Sequence, residues 1–461
     1  MVQQTYNQDQ SIISQYSSAT VIGLGATGYS VVRYLRARGL SVSVLDSRSQ
    51  PHLAKKLEKE FPEVDCYFGE FDNTHLKEGG LIVASPGVSL REPILREAKT
   101  NGCLIVGDVE LFLQENEKPV IAITGSNGKS TVTTLVGNMC REAEMQPWVA
   151  GNIGQPVLDG LTDESFYDVA VLELSSFQLE TTLNVPADAA AILNISADHM
   201  DRYDSMGDYV LSKARIMRGA KRAILPLHDE QLKQISNVSD VLYFDLDEPA
   251  SKSIFGIKRQ SNNRWLMQGE EKLIKLKDIP LVGLHNVKNV LSAFALVDFL
   301  DLPLAKKVNA VKSFSGLKHR MQTVAQHNEI TWVNDSKATN IGATSTALKN
   351  LEKSIVWIAG GEGKGADFGE LKKAINANVK HLVVLGVDGP KIAAALDGLL
   401  SVEQAKSMQD AVAKAAEKAS EGGYVLLSPA CASFDMYKNF EQRGEDFIRV
   451  VKQYISGGLN E

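Results

Sequence analysis

Short apolar runs alternate with stretches of helical periodicity from about Thr20 almost to the C-terminus, the signature of β-α-β units built on parallel sheets. Residues 20–24 and 41–45 are predicted strands flanking a helix over about 29–38, and residues 81–84 form a later strand of the same unit. A second start lies at residues 120–123, a strand running straight into Thr124-Gly125-Ser126-Asn127-Gly128-Lys129-Ser130 and a helix, with further strands at 169–172 and 189–193. Over residues 242–279 the pattern becomes a short polar-apolar alternation broken by Ser261-Asn262-Asn263, which suggests a small antiparallel sheet appended to this unit. A third start is at 330–333, followed by strands at 355–359, 381–385 and 424–427.

The expected class is therefore α/β throughout. Polar residues 114–119 and the pair Ser315-Gly316 mark the linkers, so three domains are expected: 1–113, 114–315 and 316–461. A chain of 461 residues is too long for one core, since domains run to about 100–200 residues.

Composition narrows the chemistry. A hydrophobic fraction of 44% with 23% charged residues is that of a globular protein. The formal charge of −7, with no dense Lys/Arg stripe, argues against a nucleic-acid partner. Cys66, Cys103, Cys140 and Cys431 lie far apart with no C-x-x-C pair, which fits reduced thiols rather than a disulfide framework or a zinc site. Residues 1–18 are Gln- and Ser-rich without the basic start and apolar centre of a signal peptide, and no apolar run is long enough to span a bilayer. A cytoplasmic location is expected.

Residues Gly125, Ser126, Asn127, Gly128, Lys129 and Ser130 sit between a strand and a helix, so their backbone N–H groups converge on phosphate oxygens at the helix N-terminus. Lys129 would neutralise the β/γ-phosphates and the Ser130 hydroxyl would ligate Mg²⁺. The loop is shorter than the full G-x-x-x-x-G-K-S pattern, because Ile123 and Thr124 stand where that pattern begins. Glu173 ends an apolar strand, at the carboxyl edge where open α/β sheets bind ligands, and suits a further Mg²⁺ ligand. His199 follows another strand end in Asn194-Ile195-Ser196-Ala197-Asp198-His199-Met200-Asp201. In the next helix Val210, Ala214 and Met217 share an apolar side with Lys213. A lysine there ordinarily snorkels; if buried, its neutral amine is favoured, and that form reacts with carbon dioxide to give a carbamate, a hard oxygen ligand for Mg²⁺.

Taken together, Thr124 to Thr131, Leu172-Glu173-Leu174-Ser175-Ser176-Phe177-Gln178-Leu179-Glu180 and Asp198-His199-Met200-Asp201-Arg202-Tyr203 resemble the central-domain signatures of the Mur ligase family, which builds the peptide of bacterial cell-wall precursors. Gly151-Asn152-Ile153-Gly154, Asn334-Asp335-Ser336-Lys337-Ala338-Thr339-Asn340 and Ser428-Pro429-Ala430-Cys431-Ala432-Ser433-Phe434-Asp435 extend the resemblance from about Thr20 to the C-terminus. It implies an ATP-dependent amide ligase with a Rossmann-like UDP-binding domain, a P-loop domain and a Rossmann-like amino-acid domain. The implied substrates are ATP, UDP-N-acetylmuramoyl-L-alanine and D-glutamate, with two Mg²⁺ ions, acting as a monomer in peptidoglycan synthesis.

The resemblance makes Lys213 a carbamylated lysine, Glu173 a ligand of the first Mg²⁺ and His199 a ligand of the second. It adds Thr131, Asn286, Asn289, Arg320, Asp335 and Lys337 to the nucleotide set, with His319 beside them. Thr339, Lys364, Ser433 and the backbone at Phe440 would take D-glutamate, with Lys364 countering a substrate carboxylate. Glu362 stands where the family pattern carries aspartate.

Gly23-Leu24-Gly25-Ala26-Thr27-Gly28 follows a strand and opens a helix, and Asp46 ends the next strand. Alone this pattern indicates NAD. The same backbone geometry serves any diphosphate, and the resemblance assigns it to the UDP moiety, with Ala26, Thr27, Ser47, Arg48, Ser85 and Asn152 nearby. Another Mur ligase, or an enzyme like folylpolyglutamate synthetase, would keep the central chemistry and change the acceptor or the amine. A nicotinamide-dependent oxidoreductase and a slow ATP-hydrolysing switch are the rivals from other classes.

Overall fold

In the computed structural model, which describes residues 11–161, 166–196, 202–363 and 365–457, the apolar runs become strands of three sheets. Contacts divide the chain into two compact units, one holding residues 1–257, 267–271 and 291–307, the other residues 258–266, 272–290 and 308–461.

The first sheet runs Asp65–Phe68, Ser41–Asp46, Ser18–Ile22, Leu81–Ala84, Leu104–Val106, all parallel. Successive side chains of a strand point to opposite faces. Val21, Val44 and Val83 therefore join one core with Val31, Val32 and Leu35 of the Ala26–Ala37 helix, while Ile22, Leu45 and Ile82 join another with Ile94, Leu95 and Ala98 of the Pro93–Thr100 helix. Each fully buried Leu, Ile or Val contributes about 1.5–3 kcal/mol, so both faces need their helix. The first strand ends two residues earlier than its apolar run suggests, because Gly23 turns at φ +94°. The helix accordingly begins at Ala26, not at Tyr29.

The second sheet carries Pro147–Gly151, Val169–Glu173, Val120–Thr124, Ala189–Ile192, Arg222–Pro226 and Asp240–Phe244 in that spatial order. The Val120–Thr124 and Val169–Glu173 strands are buried along their whole length, as parallel strands covered on both faces must be. Tyr243 and Phe244 pair in parallel with Ile254 and Phe255, so the appended region predicted from residue 242 begins as an extension of the main sheet. The polar stretch at 114–119 is partly helix, since the Asp108–Glu115 helix takes in Gln114.

The third sheet runs Gln322–His327, Ile330–Asn334, Tyr424–Leu427, Ile355–Gly360, Val379–Leu385, Ser401–Gln404. Only its first pair is antiparallel. Trp357 and Leu426 face the core of Leu348, Phe368 and Ile392, and Ile358 and Val425 face that of Val412, Phe447 and Val450. The loops after Asn334, Gly360 and Leu427 leave three neighbouring strands at their carboxyl ends, the place where such sheets gather ligands. No helix among the described residues is long and apolar enough to cross a membrane.

Candidate active site

The Val120–Thr124 strand lies between Val169–Glu173 and Ala189–Ile192, and the phosphate loop leaves its end. Gly125 at φ +150° and Gly128 at φ +86° shape the loop. A Cβ on Gly125 would meet the Leu193 Cβ at 3.1 Å and its backbone N at 3.3 Å, so the close approach requires glycine. Asn194 fixes the other side: its carbonyl accepts from Ser126 N–H at 2.9 Å and its side-chain oxygen from Asn127 N–H at 2.9 Å. Ser130 is buried in the first turn of the Lys129–Glu142 helix, with Thr131 beside it half-buried. The Lys129 ammonium donates to the carbonyls of Gly125 at 2.8 Å and Ser126 at 3.0 Å.

Lys213 is 2% exposed. Ser205 caps the Met206–Ala214 helix and sets its entry, and the Lys213 ammonium donates to the Gly125 carbonyl at 3.0 Å. The sequence expectation that this lysine faces inward holds, and its target is the phosphate loop. The amino nitrogens of two lysines thus converge on one carbonyl oxygen. Charged, they would repel, which together with burial favours the neutral Lys213 amine, the form that adds carbon dioxide; a carbamate there would set an anion against the Lys129 cation. Tyr209, one helical turn before Lys213, lies beneath its ammonium at 4.8 Å and hydrogen-bonds the Ser126 hydroxyl at 3.1 Å. The i, i+4 spacing of Tyr209 from Lys213 is the one sequence signal that pairs them.

Glu173 pairs in register with Ile123, beside the start of the loop. It is 1% exposed; Oε1 accepts from the Asn152 amide at 2.8 Å, while Oε2 is buried with no hydrogen-bond partner among the described residues. A buried carboxylate oxygen without a donor is costly, and a cation relieves that cost. Mg²⁺ is commonly held by one or two carboxylates together with substrate phosphates, so Glu173 and Ser130 fit such an ion even though no cluster of three His, Cys, Asp or Glu occurs among the described residues. Ser175 and Gln178 close a capping box on the short Ser176–Glu180 helix, fixing the chain just past Glu173. His199 lies outside the described residues.

At the amino-terminal glycines, a Cβ on Gly28 would fall 1.9 Å from the Gly23 carbonyl oxygen, and the Ser85 hydroxyl donates to that same oxygen at 2.7 Å. Asp46 is the residue on which the NAD reading turns. Its Oδ2 accepts from Leu24 N–H at 2.7 Å, and Arg48 donates to both carboxylate oxygens at 2.8 and 2.6 Å. Burial works against its charge, but Arg48 and the backbone donors hold the carboxyl below its ordinary range. An acid that binds the ribose of NAD needs free oxygens, and this one is engaged within the chain. Ala26, Ser47 and Arg48 are exposed and Thr27 half-buried around the loop. The exposed Asn152, expected beside the UDP moiety, has its amide on Glu173.

In the second unit Asn286 and Asn289, both buried, join at 3.0 Å at the start of the Leu284–Leu296 helix, and the Asn286 amide donates to the Val282 carbonyl at 2.7 Å. Asp335 accepts from Met321 N–H at 3.1 Å and from the Ser428 hydroxyl at 2.9 Å. Burial pushes its carboxyl up to about 7, opposed by the Ser428 and Met321 donors and by Arg320. His319 and Met321, on either side of exposed Arg320, both have positive φ, +62° and +42°. Such backbone is strained, and the Asp335 hydrogen bond holds it.

Of the expected D-glutamate residues, Thr339 and Ser433 lie on strand-end loops and Phe440 opens the Phe440–Ile455 helix. Glu362 and Ala432 exchange two backbone hydrogen bonds of 2.9 Å, which bring the loop after Gly360 beside Ser433. Asp388 accepts from Gly363 N–H at 2.7 Å and steadies that loop. Ala430 N–H donates to the Ala338 carbonyl at 3.0 Å, next to Thr339, and the Lys337 ammonium lies 3.9 Å from the Phe440 ring centre. Lys364 itself lies outside the described residues.

Residues 17–107 match the Mur ligase MurD-like N-terminal domain, 123–297 the Mur ligase middle domain, and 319–431 the Mur ligase glutamate ligase domain. The chain belongs to the Mur ligase family. A UDP-N-acetylmuramoylalanine--D-glutamate ligase of Methylobacillus flagellatus is 46% identical over 436 residues, covering 94% of this chain and 96% of that protein. The ligase of the same name from Shewanella oneidensis is 45% identical, covering 95% and 99%. Among solved structures, UDP-N-acetylmuramate-alanine ligase of Thermotoga maritima aligns with a TM-score of 0.55 at 19% identity over 96% of this chain and 100% of that one. A MurF ligase from Thermotoga maritima in complex with ADP aligns at 0.56 and 15% identity, over 84% and 97%. These two likenesses show the three-domain fold.

Proposed function

We propose that the chain joins D-glutamate to UDP-N-acetylmuramoyl-L-alanine at the cost of ATP, in peptidoglycan precursor synthesis in the cytoplasm. The observation that carries this reading is the convergence of Lys129 and Lys213 on the Gly125 carbonyl beside the orphan oxygen of Glu173. That arrangement suits a triphosphate brought against a second anion. The near-full-length relatives name the acceptor and the amino acid.

In the proposed reaction a carboxylate oxygen of the alanyl group attacks the γ-phosphorus, the bond to ADP breaks, and an acyl phosphate forms. The amine of D-glutamate, having lost a proton, then attacks the acyl carbon; the tetrahedral intermediate expels phosphate and leaves the amide. Lys129 neutralises the transferring phosphoryl group, and the loop N–H groups hold the nucleotide in line. Mg²⁺ held by Ser130 and Glu173, with His199 and a Lys213 carbamate at a second ion, would supply further charge neutralisation.

The residues divide by ligand. Gly125 to Thr131, Asn286, Asn289, Arg320, Asp335 and Lys337 serve ATP. Ala26, Thr27, Ser47, Arg48, Ser85 and Asn152 serve the UDP substrate. Thr339, Lys364, Ser433 and Phe440 serve D-glutamate. Domains of 1–113, 114–315 and 316–461 and a monomeric enzyme belong to the same proposal. A panel of amines tests it: ADP release in the presence of UDP-N-acetylmuramoyl-L-alanine is expected with D-glutamate and not with L-glutamate, L-alanine, L-lysine or meso-diaminopimelate. Preference for another amine would move the chain elsewhere within the family.

A further inference from the structure

Arg443 lies in the Phe440–Ile455 helix and is 2% exposed. A guanidinium has five N–H donors in a fixed planar fork, and here all of its nitrogens are engaged. Nε donates to the Ser336 hydroxyl at 3.0 Å. Nη1 donates to the carbonyls of Gly360 at 3.4 Å and Ala432 at 3.2 Å, and Nη2 to those of Ser336 at 2.9 Å and Cys431 at 3.0 Å. Those acceptors lie at or just past the carboxyl ends of the Ile330–Asn334, Ile355–Gly360 and Tyr424–Leu427 strands. The Ser336 hydroxyl in turn donates to the Phe440 carbonyl at 2.8 Å.

Nothing local requires an arginine here. Burying a charge among neutral acceptors is costly, and burial pushes this guanidinium down to about 10. An apolar side chain would fill a helix-to-sheet contact without that cost. What the fork achieves is geometric: three loops with separate origins are held in one register, and each adjoins a residue assigned to the amino acid. Ser336 precedes Thr339, Gly360 precedes position 364, and Ala432 precedes Ser433.

We propose that Arg443 is a positioning residue for the amino-acid substrate, which sets the loops carrying Thr339 and Ser433 and the loop after Gly360 against Phe440 of its own helix, without touching the substrate. This rests on the D-glutamate reading of those loops. Lysine keeps the charge but cannot present a planar fork, so Arg443→Lys separates positioning from mere charge.

The test is steady-state kinetics on Arg443→Lys and Arg443→Gln, together with trapping of the acyl phosphate by hydroxylamine in the absence of amino acid. Both variants are expected to raise KM for D-glutamate by on the order of 10- to 100-fold, with a smaller rise in KM for ATP, since Ser336 lies between Asp335 and Lys337, and KM for the UDP substrate unchanged. Hydroxamate formation is expected at the wild-type rate. Ser336→Ala, which removes the Nε acceptor and the link to Phe440, is expected to shift the same KM to a smaller degree, and it carries the test if an Arg443 variant fails to fold. A near-normal D-glutamate KM in Arg443→Lys, or a parallel rise in all three KM values, overturns the proposal. If the wild-type enzyme saturates with a different amino acid, the D-glutamate reading is what fails, and the Arg443 proposal is then judged on the KM of that amino acid.

Discussion

Lys129 and Lys213 donate to the same atom, the Gly125 carbonyl oxygen, at 2.8 and 3.0 Å. One lysine comes from the helix that the phosphate loop opens and the other from a helix much later in the chain. Two lysine nitrogens held at one oxygen frame the phosphate loop, and they make the charge state of Lys213 decisive.

Replacing Lys213 by alanine is expected to lower kcat by on the order of 10²- to 10³-fold. Added formate or acetate should restore part of the activity, because a small carboxylate can enter the space a carbamate would fill. Activity that stays low with every acid tested, in a variant whose thermal melting is unchanged, would leave Lys213 as a structural tie to Gly125.

Lys129→Ala removes the cation nearest the transferring phosphoryl group and is expected to lower kcat by on the order of 10²- to 10³-fold. Lys129 is only half-buried, so the melting temperature should barely move. Turnover within a few-fold of wild type would show that Lys129 does not stabilise the transferred charge.

Gly28→Ala is expected to weaken the UDP substrate selectively. The new Cβ would lie 1.9 Å from the Gly23 carbonyl oxygen, backbone that can yield only by opening the glycine loop. A cost of about 1–3 kcal/mol in stability and a raised KM for the UDP substrate are expected, with KM for ATP unchanged. Equal effects on both KM values would detach this loop from UDP recognition.

Asp108 supplies a pH test. It is 3% exposed, its Oδ1 has no hydrogen-bond partner among the described residues, and burial pushes its carboxyl up to about 6, opposed by backbone donors at Val109 and Asp108. The folded chain therefore holds this proton more tightly than the unfolded chain, whose ordinary value is 3.8. Stability from this group is fully present below about pH 4 and is lost as pH rises to about 6, up to about 3 kcal/mol. Asp108→Asn should flatten the denaturation midpoint over that window; an unchanged slope would place the titration elsewhere.

Much of this arrangement was legible in the sequence because its signals are local. Gly125, Gly128, Lys129 and Ser130 are neighbours in the chain, and glycine, ammonium and hydroxyl keep their roles wherever a strand leads into a helix. Helical periodicity put Lys213 on the apolar side of its helix, where a lysine ordinarily snorkels; its role was legible only through the family resemblance, and its burial shows in the fold. The inner ties were not. Asp46 has the spacing of a ribose ligand, yet its oxygens are taken by Leu24 and Arg48, which only the fold reveals. Arg443 reads as one more polar helix residue, because its partners are backbone carbonyls that strand order, not sequence spacing, brings together.

The most direct measurement places oxygen-18 in the alanyl carboxylate of UDP-N-acetylmuramoyl-L-alanine and follows it through a turnover with ATP and D-glutamate. Activation as an acyl phosphate predicts one labelled oxygen in the released phosphate for each amide formed. Phosphate that carries no label, alongside normal amide yield, contradicts the account.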